Sequence, residues 1–204
     1  MTAAQASGRA DGPAGILRIG MAAALIAAAL LVLALTAALG GARVSLEPGD
    51  PAPLFDLSTF DGDTMTLEGL RGRPVVINFW ASWCKECELE AADLEAIWRD
   101  YEASGVMMLG VDYTDTEAAA RAYIDRYNLT YPNGPDAGAR ISRAYRVTGV
   151  PETVVVDGQG RLVALAVAGA REPKAKIVGP IIDGGGFAPA DLRGVLDTLV
   201  AESP

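Results

Sequence analysis

The sequence predicts an α/β domain whose sheet has an antiparallel portion, preceded by a membrane-spanning segment. Three observations carry the prediction. The buried-strand pattern Val75–Trp80 runs straight into a helical repeat, and a second apolar strand, Val106–Val111, is again followed by a helical stretch. The chain then closes on a hairpin and a last amphipathic helix.

Residues 1–15 are small, polar and Gly-containing, the composition of an unstructured cytoplasmic tail. Residues 16–39 carry no charge after Arg18, and the next comes at Arg43, so the run is long enough to span a hydrocarbon core of about 30 Å. Arg9 and Arg18 precede it, which places the N-terminus inside and the remainder outside the cytoplasm. Gly40-Gly41-Ala42 offers a small-x-small site, and a cleaved signal peptide is the alternative. The run exceeds the usual signal core of about 7–15 residues, which favours an uncleaved anchor. Residues 40–53 are rich in Gly and Pro and are expected to tether a single domain over 54–204.

Within that domain, Leu54–Thr59 and Thr64–Leu67 read as short strands around the turn Asp61-Gly62-Asp63, an N-terminal β-hairpin extension. Pro74 introduces Val75–Trp80, whose unbroken apolar character is that of a central strand. Leu89, Leu94, Ile97, Trp98 and Tyr101 recur at helical spacing from Cys84 to about Tyr101. Thr116–Tyr127 is helical with Thr116 as N-cap, and a further helix is expected over Ala137–Tyr145. Thr153–Val156 and Arg161–Val167 flank Asp157-Gly158-Gln159-Gly160, the turn chemistry of a hairpin. Lys176–Ile182 and Gly184–Gly186 fit either a strand or a loop, and Ala190–Val200 is the final helix.

Composition removes several functions. The chain has 17 Lys+Arg against 26 Asp+Glu, so no basic footprint for nucleic acid exists. With Arg9, Asp11 and Arg18 set aside alongside the anchor, 15 basic and 25 acidic residues remain outside. There is no histidine, which rules out Ser-His-Asp and Cys-His catalysis, His-ligated zinc and axial His to haem. Glu88 follows Cys87, so the pair is not a C-x-x-C-H haem attachment site.

The only cysteines, Cys84 and Cys87, stand C-x-x-C where the strand gives way to the helix. A thiolate, not a thiol, attacks a disulfide. At the helix start, unpaired N–H groups and the positive end of the dipole favour the thiolate of Cys84. Cys87, one turn on, lies close enough to close the ring and release a mixed disulfide. Cys84, nearer the tip, is expected to be the exposed, attacking sulfur. A structural disulfide and a pair of core cysteines are the alternatives. Zinc would need two more ligands.

Two stretches carry a resemblance: Asn78-Phe79-Trp80-Ala81-Ser82-Trp83-Cys84-Lys85-Glu86-Cys87-Glu88-Leu89-Glu90 and Thr148-Gly149-Val150-Pro151-Glu152-Thr153. With them the chain resembles thioredoxin, and more closely the membrane-anchored thioredoxin-like family of TlpA, ResA and CcmG, over residues 48–168. The resemblance implies a thioredoxin fold and a redox-active Cys84–Cys87 disulfide that needs no cofactor. It implies that Glu90, completing C-x-x-C-x-x-E, exchanges the proton of the second thiol. Asn78 stands where thioredoxin has a buried Asp, which shifts proton handling to Glu90. The bond before Pro151 is implied to be cis, with the backbone of Val150 offered to an extended substrate. Trp83 is expected on the surface around Cys84, and Trp80 in simple packing. Many members have Pro where Glu86 stands; here Lys85 favours the thiolate and Glu86 opposes it.

The function implied is an extracytoplasmic, membrane-tethered thiol–disulfide oxidoreductase acting as a reductant. Its electrons would come from a membrane donor of the CcdA or DsbD kind. Its substrate would be a protein disulfide, in an apocytochrome c or a copper-assembly protein. A thiol binding module or copper carrier is the alternative, since two thiolates can hold Cu(I). A peroxiredoxin-like peroxidase is the third reading, but residues 77–83 lack that family's Pro-x-x-x-Thr-x-x pattern.

Overall fold

The structure, a computed structural model, describes residues 21, 25–32, 46–167 and 189–202. The chain divides into two units, Met1–Ser45 and Leu46–Pro204. In the first, residue 21 and residues 25–32 are helical. Among the described residues no helix is long and apolar enough to cross a membrane, and the rest of the expected anchor over 16–39 lies outside them. The stretch Lys176–Ile182 and the glycines at 184–186 lie outside them too.

The second unit begins earlier than expected. Residues 46–53, assigned from composition to the tether, belong to the packed domain. Gly49 N–H donates to Leu162 O at 2.7 Å, Ala52 N–H to Gly160 O at 2.9 Å, and Ala52 is buried. A Gly/Pro-rich segment reads as a spacer only until neighbouring backbone satisfies its polar groups.

A two-stranded antiparallel hairpin, β1 (Asp56–Ser58) and β2 (Thr64–Thr66), comes first. The main sheet contains β3 (Val75–Trp80), β4 (Met107–Tyr113), β5 (Asn133–Asp136), β6 (Glu152–Val156) and β7 (Leu162–Val167), in the order β5-β4-β3-β6-β7. β3 pairs parallel with β4, and β4 with β5, while β6 runs antiparallel to both β3 and β7. This is the mixed sheet of the expected thioredoxin fold. The helices are α1 (Lys85–Tyr101), α2 (Glu117–Tyr127), α3 (Arg140–Ala144) and α4 (Pro189–Glu202).

Side-chain alternation divides the central strand between two cores. Val76 and Trp80 face a cluster holding Cys87, Leu94 and Ile97 of α1, Tyr123 of α2 and Leu196 of α4. Val75, Ile77 and Phe79 face the other, with Leu57 of β1 and Ile141 of α3. All six residues of β3 are buried, which is why that strand lacks a polar alternation. Complete burial of side chains such as Leu94 and Ile97 stabilises the domain by about 1.5–3 kcal/mol each.

Two elements differ from expectation. The helix anticipated over 137–145 spans only Arg140–Ala144. Asp136 caps it, accepting the N–H groups of Arg140 and Ile141 on Oδ1 and that of Ser142 on Oδ2, and Ala139 turns through a positive φ of 49° before it. Strand β5, Asn133-Gly134-Pro135-Asp136, has the composition of a turn and carried no strand signal. It is extended because β4 offers it a parallel partner.

Candidate active site

The site forms where β3 ends. Trp80 is the strand's last residue, Ala81–Trp83 make the turn, and Cys84 is the N-cap of α1. Cys84 Sγ accepts the Cys87 N–H at 3.1 Å, taking the place of a capping oxygen among the helix's free donors. Those donors favour negative charge on the sulfur once the disulfide opens. Cys84 and Cys87 are joined as a disulfide, with a Cα–Cα distance of 5.3 Å.

The expectation of an exposed attacking sulfur is corrected here. Cys84 is 3 % exposed and Cys87 1 %, both within the apolar cluster beneath α1. Cys84 Sγ lies 3.4 Å from the carbonyl oxygen of Val150, so the loop before β6 covers it. The Val150–Pro151 peptide is cis, as the resemblance implies. Glu152, the first residue of β6, fixes that loop: its Oε1 accepts the Thr148 N–H at 2.8 Å, the Thr148 hydroxyl at 2.9 Å and the Gly149 N–H at 3.2 Å. Burial raises its carboxyl, and the Thr148 and Gly149 donors pull it back.

Glu90 is buried one turn after Cys87. Asn78 of β3 donates from Nδ2 to Glu90 Oε1 at 2.9 Å and to Thr153 Oγ1 at 3.1 Å, joining the sheet to α1. Burial pushes the Glu90 carboxyl up to about 8, against the Asn78 bond and with Asp93 adding to the rise. The group therefore changes protonation in the range where thiols do.

Trp83 is 58 % exposed and meets Tyr113 edge-on at 6.5 Å between ring centroids. Trp80 is buried, stacks on Tyr123 at 4.5 Å and donates its indole N–H to Asn133 Oδ1 at 2.9 Å. The two tryptophans thus separate as expected, one on the surface and one in packing. The structure gathers Cys84, Cys87, Val150 and Pro151 at one point, with Trp83 beside them in the turn and Glu90 further along α1.

Three further residues meet this site from distant parts of the chain. The Tyr123 hydroxyl donates to Cys87 O at 2.7 Å, Asp115 Oδ2 accepts the Ser82 N–H at 2.7 Å, and Glu152 holds the Val150 loop. Glu152 lies inside the Thr148–Thr153 motif, while the spacing of Tyr123 and Asp115 carries no signal. Among the described residues no cluster of three or more Cys, Asp or Glu could hold a metal.

Comparison with known proteins agrees with this geometry. The model of the AhpC/TSA family matches residues 48–165. The thiol-disulfide oxidoreductase ResA of Bacillus cereus (strain ZK / E33L) is 31 % identical over 121 residues, covering 59 % of this chain and 70 % of that protein. The thioredoxin-like protein YneN of Bacillus subtilis (strain 168) is 34 % identical over 121 residues, covering 58 % and 70 %. A secreted Mycobacterium tuberculosis disulfide oxidoreductase of known structure shares the fold, with a TM-score of 0.57 and 24 % identity over 71 % of this chain and 96 % of its own. The chain belongs to the AhpC/TSA family, and it is a thiol–disulfide oxidoreductase built on the thioredoxin fold with Cys84 and Cys87 as its redox pair.

Proposed function

We propose that this oxidoreductase works outside the cytoplasm, tethered to the membrane by residues 16–39, and reduces disulfides of client proteins. The observation that carries the reading is the placement of Cys84: its sulfur caps α1 and lies against the Val150 carbonyl. An extended client strand pairing with the Val150 backbone would bring its own disulfide to that sulfur.

In the reducing direction the Cys84 thiolate attacks one client sulfur. The client S–S bond breaks, a Cys84–client disulfide forms, and the departing client sulfur leaves as a thiolate and takes a proton. Cys87 then loses its proton, with Glu90 as the acceptor, and attacks Cys84 Sγ. The mixed disulfide breaks, the second client sulfur is released and protonated, and the Cys84–Cys87 disulfide is restored. Two electrons have passed to the client, and a membrane donor of the CcdA or DsbD kind must return two. Client disulfides in apocytochrome c or in a copper-assembly protein fit this chemistry.

Cys87→Ser stops the reaction at the mixed disulfide. Purification of that variant from membranes should bring down a client bound through Cys84 and released by dithiothreitol. Haem-bound cytochrome c in a deletion strain then tests the cytochrome branch. A thiol binding module or copper carrier would yield no covalent client, and that outcome would replace the reading.

A further inference from the structure

Asp112 lies near the end of β4, in register beside Trp80 of β3 and Pro135 of β5. Alternation along the strand puts it on the face of Met108, which belongs to the cluster under α1. It is 1 % exposed, yet its Oδ1 has no hydrogen-bond partner. A buried carboxylate without partners is expensive to ionise. Burial accordingly pushes this carboxyl up to about 7, with the charges of Asp115 and Asp136 adding to the rise.

The segment that follows meets the active-site turn at three successive places. Asp112 pairs with Trp80, the residue before the turn. Tyr113 meets the ring of Trp83. The chain then reverses at Thr114, whose φ is 48°, and Asp115 Oδ2 accepts the Ser82 N–H at 2.7 Å while its Oδ1 accepts the Thr116 N–H at 2.7 Å.

We propose that Asp112 is a positioning residue for thiol–disulfide exchange, its buried carboxyl setting through Asp115 how firmly the turn that carries Cys84 is held. The inference rests on Cys84 and Cys87 being the reacting pair. A neutral Asp112 leaves Asp115 as the sole negative charge of the segment, gripping Ser82. An ionised Asp112 repels Asp115 and weakens that grip. The loosened turn slows Cys84 as a nucleophile above neutral pH. The charged groups acting on Asp112 are Asp115 in its own loop and Asp136 in β5. Asp136 is a fixed acceptor for α3, and the register neighbours Trp80 and Pro135 carry no charge.

The test is the rate of iodoacetamide alkylation of the reduced protein between pH 5.5 and 9, in wild type, Asp112→Asn, Asp115→Asn and the double variant. The ratio of the Asp112→Asn rate to the wild-type rate should be near one at the acid end. It should rise through neutral pH to about fivefold, the change expected when one ordinary hydrogen bond, here from Ser82 to Asp115, is weakened. In the Asp115→Asn background the ratio should stay near one. A ratio independent of pH, or the same rise without Asp115, overturns the inference.

If Asp112→Asn fails to fold, side-chain 13C NMR of the wild type serves instead. The Asp112 carboxyl should titrate at different pH in the oxidised and reduced protein, and an identical midpoint overturns the inference. A protein that exchanges with no disulfide at any pH would instead undermine the reading of the pair itself.

Discussion

The Asn78 side-chain amide donates to Glu90 Oε1 at 2.9 Å, tying the central strand to the helix one turn beyond Cys87. In the proposed mechanism the bond keeps an acid buried where a proton comes and goes, and it uses an amide whose own charge never changes. Without Asn78 the Glu90 carboxyl would rise further still, because that amide favours the ionised form. Asn78→Ala should therefore move the Glu90 titration upward from about 8, read by side-chain 13C NMR.

Glu90→Gln removes the titrating group and keeps the shape. Resolution of a mixed disulfide by Cys87 should slow by about a hundredfold, the lower range for a lost general base, in stopped-flow quenching with an oxidised peptide. The same variant has a stability signature. Glu90 titrates higher in the folded than in the unfolded chain, so its stabilising proton is present below pH 4.5 and lost as pH rises towards 8. Wild type should lose on the order of 5 kcal/mol of urea stability across that window relative to Glu90→Gln. Parallel pH curves for the two would contradict this.

Glu152→Ala leaves three donors of the Val150 loop without their acceptor. Urea unfolding should show a loss of about 2–3 kcal/mol, and exchange with an oxidised peptide should slow because the loop no longer lies against Cys84. Glu152→Gln retains an acceptor oxygen and should recover most of both.

Trp83→Ala should separate binding from stability. The residue is exposed, so the unfolding free energy from urea titration should change by no more than about 0.5 kcal/mol, while KM for a protein disulfide rises. Trp80→Phe should do the reverse, because it removes the donor to the buried Asn133 and costs about 1–3 kcal/mol.

Much of this was legible in the residues themselves. Leu94 and Ile97 recur at the period of a helix buried on one face, Thr116 does cap α2 by accepting the Ala119 N–H at 3.3 Å, and Asp157-Gly158 does close the hairpin of β6 and β7. Such signals are local, set by spacing and by turn chemistry. What stayed hidden depends on distant partners. Strand β5 exists through its pairing with β4, and residues 46–53 are ordered by backbone bonds to β7 and the turn before it. Nothing in the spacing of α2 singles out Tyr123, and only the packed structure brings its hydroxyl to Cys87 O. The burial of Cys84 was hidden for the same reason: the loop that covers it comes from Val150.

The central claim is that Cys84 attacks and Cys87 resolves. Its most direct measurement is intact-mass analysis of reduced Cys87→Ser and Cys84→Ser variants mixed with an oxidised client peptide. Cys87→Ser should accumulate one peptide in disulfide linkage, mapped by digestion to Cys84, while Cys84→Ser accumulates little or none. Equal adducts on both variants, or an adduct only through Cys87, would contradict the account.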